Sequence, residues 1–305
     1  MIQLISALLF AALTQSPAPR TPDPAVDLAR WQTMVGGPVF ETESSLIRLS
    51  GKKRGWTRTA DIYLDGVVRM KFRLATPDAD GFVLLRAMVP DPDRDTWPSR
   101  GYRIGIHGAG GTKEPSGTVQ AILTRKETLP LPSATAIADM AWHDLEVWTV
   151  RDHVVVKVDG TTTADIQGLE PQAGYVGLVH NSGTLEFRDL SMAEIPVAYA
   201  PATKDPRKDL ERSKDANFKM PTVLKEEKPS YSIDGLRRRI QGVTVMEVAL
   251  DETGHVSDER VTKALDRELD LCAVGAARHW VFSPARQNGV PIPIVVTIEM
   301  TFKLH

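Results

Sequence analysis

The stretch that decides the fold runs from Trp142 to Leu190. It opens with WHDLEVWTVRDHVVVKVDG (142–160) and closes with GYVGLVHNSGTLEFRDLSM (174–192). Leu145 and Val147 alternate with Glu146 and Trp148, and Val154, Val156 and Val158 then share one side, so both segments carry the period of two of half-buried strands. Arg151-Asp152 marks the reversal between them. Asp159-Gly160 makes the next turn, because a tight hairpin needs residues that tolerate positive φ. Leu185 and Phe187 then face one way while Glu186 and Arg188 face the other. The whole reads as the closing meander of an antiparallel sandwich.

Working outward, the chain is 305 residues long with a formal net charge of -2, enough for about two domains of ordinary size. No basic excess points to nucleic acid. The one cysteine, Cys272, excludes an internal disulfide framework, so stability rests on packed cores. Residues 2–13 (IQLISALLFAAL) form an apolar run shorter than the roughly 20 residues that span a bilayer. We read residues 1–14 as a secretory signal with a cleavage site at Ala12-Leu13-Thr14, and hence the protein as periplasmic; a retained short anchor is the alternative. Residues 15–30 form a proline-rich tether, with four prolines between Gln15 and Pro24.

The globular part begins at Trp31. Residues 31–75 supply short strands punctuated by Gly and Asp. In VRMKFRL (68–74), Val68, Met70, Phe72 and Leu74 are expected to point into a core, and Arg69, Lys71 and Arg73 outward. GFVLLRAMV (81–89) is continuously apolar, as a strand covered on both sides would be. Residues 31–194 therefore read as a β-sandwich.

Together, VRMKFRL, DGFVLLRA (80–87), GYRIGIHG (101–108) and the 142–160 and 174–192 segments resemble the 3-keto-disaccharide hydrolase family, a concanavalin-like jelly roll. The resemblance implies binding, and cleavage, of a saccharide or ketosugar on a concave sheet. A ketone at carbon 3 acidifies the carbon-2 proton, so a positioned base could start elimination of the carbon-1 substituent. The family's Tyr-Glu-x-Gln strand is here Tyr102-Arg103-Ile104-Gly105, which replaces a carboxylate and an amide. The remaining candidates for that face are His107 and Glu186 as catalytic groups, with Arg86, Tyr102, Arg103, His180 and Asn181 binding substrate. His107 fits a proton acceptor because imidazole titrates near neutrality. Each candidate has a plain reading beside the chemical one: His107 as a solvent-facing strand end, Glu186 as half of a solvated cross-strand ion pair, and His180-Asn181 as a turn.

No cofactor is expected, and no metal. Asp91, Asp93 and Asp95 alternate like the start of a calcium loop, but Thr96 and Tyr102 occupy the positions that need glycine and glutamate. Gly108–Gly111 lacks the Lys-Ser/Thr and the helix of a phosphate loop.

Residues 195–229 are rich in charge and proline, without apolar period, and read as an inter-domain linker with a helical turn near 208–214. Residues 230–305 form a second, small α/β domain. Val243–Leu250 and His255–Lys263 make a hairpin, and Asp266 caps a helix whose Leu269, Cys272, Ala273, Ala276 and Trp280 fall at helical spacing. The last strand alternates Ile294, Val296, Ile298, Met300 and Phe302 with Val295, Thr297, Glu299, Thr301 and Lys303.

QGVTVMEVALDETGHVSDERV (241–261), the small-residue helix and WVFSPARQNGVPIPIVVTIEMTFKL (280–304) resemble the C-terminal domain of TonB-type energy transducers. The resemblance implies a periplasmic module that adds an extended peptide of an outer-membrane receptor to its sheet edge. The acceptor would be the final strand, through Ile294, Val296, Ile298 and Met300. The expected function is an exported two-module protein, a saccharide-binding and ketoglycoside-cleaving sandwich carried with a peptide-docking tail. The alternative is an energy transducer for outer-membrane transport in which the sandwich is a spacer.

Overall fold

The computed structural model describes residues 30–35, 39–43, 46–89, 97–108, 116–122, 137, 139–170, 172–200, 205–212 and 217–304. The expected signal, the acidic 91–95 run and most of the Gly108–Gly111 run lie outside the described residues. Among those described, no helix is long and apolar enough to cross a membrane. The chain divides into two compact units, one spanning Thr21–Ile195 and one containing Pro196–His305.

The first unit is a sandwich of thirteen strands: β1 (Gln32–Val35), β2 (Val39–Glu43), β3 (Leu46–Ser50), β4 (Gly55–Arg58), β5 (Gly66–Leu74), β6 (Asp80–Met88), β7 (Arg100–His107), β8 (Val119–Ala121), β9 (His143–Val150), β10 (His153–Val158), β11 (Thr161–Ile166), β12 (Tyr175–Ser182) and β13 (Leu185–Glu194). They form a six-stranded sheet in the order β1-β4-β12-β6-β7-β8 and a seven-stranded sheet in the order β11-β10-β9-β5-β13-β3-β2. Each sheet buries one face against the other. Val68, Met70, Phe72 and Leu74 of β5, Leu145 and Val147 of β9, and Leu185 and Phe187 of β13 meet Val83 and Leu85 of β6, Ile104 and Ile106 of β7, and Leu178 of β12. Phe72, Phe187, Ile104 and Leu178 are fully buried. Each such side chain stabilises the fold by about 1.5–3 kcal/mol relative to exposure.

The segment that opened the sequence reading is a meander only in its first part. β9, β10 and β11 are neighbours, with Asp159 and Gly160 at φ 48° and 76° in the turn. β12 then crosses to the six-stranded sheet and pairs with β4 and β6, and β13 returns to the seven-stranded one. Alternation in a sequence tells which side of a strand is apolar; it does not tell which sheet presents that side.

In the second unit, β17 (Gly242–Leu250) and β18 (Val256–Lys263) form the expected hairpin, followed by α3 (Arg267–Ala277). The Asp266 side chain accepts from the Glu268 and Leu269 amides at 3.1 and 3.4 Å, a cap worth about 1 kcal/mol. Leu269, Cys272, Ala273 and Ala276 are buried, and burial pushes the Cys272 thiol up, which leaves it a small inert hydrophobe. The last strand, β22 (Ile294–Phe302), pairs with β17 over its whole length.

The 195–229 segment, expected to be a solvated linker, contributes elements to this unit. β14 (Ala198–Tyr199) pairs in parallel with β18, and the sheet order is β14-β18-β17-β22. α1 (Pro206–Asp209) follows, with Lys208 Nζ hydrogen-bonded to Glu247 and, at 2.7 Å, to Thr297 Oγ1. β15 (Phe218–Lys219) pairs with β20 (Ala285–Gln287), which pairs with β21 (Val290–Ile292); β16 (Val223–Lys225) pairs with β19 (Val281–Phe282). α2 (Ile233–Arg237) is capped by Ser232. Segments of two or three residues borrow a neighbour's ladder and need no apolar period of their own, so composition gave no sign of them.

Candidate functional site

The core-facing residues of β6, β7 and β12 fix what their outer sides carry. With Val83 and Leu85 turned inward, Asp80, Phe82 and Leu84 lie on the outer face of the six-stranded sheet. Ile104 and Ile106 likewise place Arg103, Gly105 and His107 there, and Val176 and Leu178 place Val179 and Asn181. Asp80 sits directly opposite His107 in the β6–β7 register.

That register brings an acid and an imidazole together. His107 Nδ1 is hydrogen-bonded to Asp80 Oδ1, and Asn181 Nδ2 donates to Asp80 Oδ2 at 2.9 Å. Burial pushes the Asp80 carboxyl up. The hydrogen bonds from His107 and Asn181, with the charges of His107 and Arg54, outweigh it and hold Asp80 below the usual carboxylate range. A carboxylate beside Nδ1 fixes the proton on that nitrogen in neutral imidazole, leaving Nε2 as the basic atom. Nε2 lies over Gly105: a Cβ there would come within 2.4 Å of it, so glycine at this position makes room for the ring. The Phe82 ring meets the imidazole edge-on at 5.2 Å. His107 is 3% exposed, which excludes the plain reading of a solvent-facing strand end.

Beside this pair, a cavity of about 140 Å³ is lined by Arg54, Phe82, Leu84, Trp97, Arg103 and Val179, among others. The Arg54 guanidinium lies 4.3 Å from the Trp97 ring centroid and that of Arg103 4.7 Å from Phe82. Trp97 in turn stacks on Trp56, with centroids 6.5 Å apart. Arg103 Nε donates to Gln120 Oε1 at 2.6 Å. An apolar wall with a few oriented donors is the usual make-up of a small-molecule site.

Of the residues expected on this face, His107, Arg103 and Asn181 are there. The other four are not. Arg86 turns away at a bulge, 3% exposed, and donates to Leu64 O, Glu170 O and Asp65 Oδ1. Tyr102 faces the core and its hydroxyl accepts from the Glu170 amide at 2.6 Å. His180 is fully buried, with its ring nitrogens against Lys53 O and Gly183 O. Glu186 belongs to the other sheet, where Arg48 Nε and Arg73 Nε donate to its two oxygens at 2.8 and 2.7 Å. This is the expected cross-strand ion pair, but buried rather than solvated, with Glu186 2% exposed. Burial raises its carboxyl, and the two guanidinium groups more than reverse that.

Asp80, Arg54, Trp97 and Phe82 were missed. Asp80 opens β6 on the same side as Phe82, a placement that the continuously apolar 81–89 run does not reveal. Trp97 stands in no periodic pattern.

In the second unit, β22 is at the end of the sheet order. Ile294, Val296, Ile298 and Met300 are buried beneath it. Any pairing along this strand would therefore run through main-chain groups and not through those four side chains. Among the described residues no cluster of His, Cys, Asp and Glu could hold a metal.

Comparison with known proteins adds two matches. The family model for the 3-keto-alpha-glucoside-1,2-lyase-like domain matches residues 23–193, and that for the Gram-negative bacterial TonB protein C-terminal matches residues 227–304. Protein TonB of Xanthomonas campestris pv. campestris strain B100 is 32% identical over 78 residues, 25% of this chain and 35% of that protein. Protein TonB of Vibrio cholerae serotype O1 is 31% identical over 84 residues, 27% and 34% respectively. The chain thus spans about a third of the length of these curated relatives. Among solved structures, the carbohydrate-binding module CBM66 from Bacillus subtilis is similar at 12% identity and a TM-score of 0.41, covering 54% of this chain and 96% of that one. A protein of unknown function with a galectin-like fold, also from Bacillus subtilis, has 11% identity and a TM-score of 0.44, covering 56% and 94%.

Proposed function

The chain belongs to the family of 3-keto-alpha-glucoside-1,2-lyase-like domains, and from that premise we propose that its sandwich binds a saccharide on the outer face of the six-stranded sheet and cleaves 3-keto-glycosides there. The observation that carries this is the Asp80–His107 pair beside a cavity walled by Trp97 and Phe82. Asp80 orients the imidazole and Nε2 takes the carbon-2 proton of a bound ketosugar; departure of the carbon-1 substituent completes the elimination. Calorimetric titration of the full chain with 3-keto-disaccharides and their parent disaccharides tests the binding. Trp97→Ala should weaken it roughly tenfold, the value of a lost aromatic wall. Absence of binding to every member of the panel would remove the reading.

The second unit supports a companion role in the periplasm, docking of an extended receptor peptide along β22. What favours it is a nine-residue strand at the end of the sheet order, joined to a TonB C-terminal match. Adding such a peptide should slow amide hydrogen exchange within 294–302. Binding with unchanged exchange in that strand would place the contact elsewhere and end this role.

A further inference from the structure

We propose that the saccharide taken by this face carries an acidic group, a carboxylate or a sulfate, seated between Arg54 and Arg103. The inference rests on the saccharide reading above and narrows it.

Several arginines elsewhere on the sandwich are answered by acids. Arg48 and Arg73 flank Glu186, Arg69 meets Glu146 at 2.7 Å, and Arg86 meets Asp65 at 3.2 Å. Arg54 and Arg103 depart from that pattern. They line one cavity, and among the described residues neither is held in a salt bridge; each lies against an aromatic ring. The Asp80 carboxyl feels the charge of Arg54, and its two oxygens hydrogen-bond to His107 and Asn181. Among the described residues the face therefore keeps a positive excess.

Orientation points the same way. Among the described residues Gln120 holds Arg103 by its Nε, with the two terminal nitrogens of that guanidinium left as donors. A guanidinium fork matches the paired oxygens of a carboxylate or sulfate, and such charge-assisted bonds are about twice as strong as neutral ones. A neutral sugar would leave the Arg103 guanidinium facing an apolar wall once water is displaced, which is costly for a charge. An acidic sugar ring can lay its C–H face on Trp97 and its charge between the arginines.

The test is calorimetric titration of the full chain with trigalacturonic acid and with its fully methyl-esterified form, and with lactose 3′-sulfate and lactose. At least one acidic member should bind roughly tenfold tighter than its neutral partner, which also tells carboxylate from sulfate. That advantage should shrink as salt is raised. The R54Q/R103Q double variant should abolish it, and Arg103→Lys should retain part of it. Equal binding of acidic and neutral partners by the wild-type chain would overturn this proposal and leave the saccharide reading standing. If none of the four binds, this proposal falls, and the titration with 3-keto-disaccharides decides the saccharide reading separately.

Discussion

Replacing Arg86 with alanine should destabilise the sandwich by about 3–5 kcal/mol, the usual effect of stranding one partner of a buried ion pair. Its side chain is 2% exposed and that of Asp65 7%. Three acceptors converge on it, the Leu64 and Glu170 carbonyls at 3.1 Å and Asp65 Oδ1 at 3.2 Å, and alanine supplies none of those donors. The backbone is equally committed. Arg86 adopts φ 51°, and Gly174 packs so close that a Cβ on it would lie 2.3 Å from the Arg86 carbonyl carbon. Arg86→Lys should recover only part of the loss, because an ammonium cannot reproduce the planar fork. Urea unfolding of the full chain, followed by tryptophan fluorescence, measures this. An unchanged midpoint would show that the three hydrogen bonds are not structural, and would return Arg86 to the list of ligand-binding candidates.

The second large effect concerns chemistry. His107→Ala should lower release of product from a 3-keto-glycoside by about 10²–10⁴-fold, the range for loss of a positioned general base. Asp80→Asn keeps the imidazole but removes the carboxylate that fixes its proton on Nδ1, so it too should be slow. Glu186→Ala is the informative control. Glu186 lies on the other sheet between Arg48 and Arg73, so its loss should lower stability and leave turnover by the folded protein as it was. The opposite result, with Glu186 essential and His107 dispensable, would move the reaction to the other face of the sandwich.

Much of this architecture was legible in the residues because each strand states its own apolar side. The Val68 to Leu74 alternation, the Asp266 cap and the alternation from Ile294 to Phe302 all reappear in the structure as read. What the sequence could not state was registration between strands distant along the chain. Asp80 and His107 stand 27 positions apart and become partners only because β6 and β7 align them. Glu186 was assigned to the wrong sheet for the same reason that β12 was drawn into a meander: a period of two is silent about which layer a strand joins. Arg86 was expected to meet ligand because polar residues in apolar strands invite that inference. A bulge re-aims it at backbone carbonyls instead, and bulges leave no mark in hydropathy. The docked pieces of 195–229 escaped notice because each borrows its hydrogen bonds from a longer neighbour.

The short strand Ala198–Tyr199 makes the two margins of its sheet unequal. A slab of strands with both margins open can recruit copies of itself without limit, as fibrils do. Here the chain lays two of its own residues along one margin, against Arg260 and Val261. A strand arriving on that side meets this short pairing first, whereas β22 on the opposite margin presents a nine-residue run of backbone.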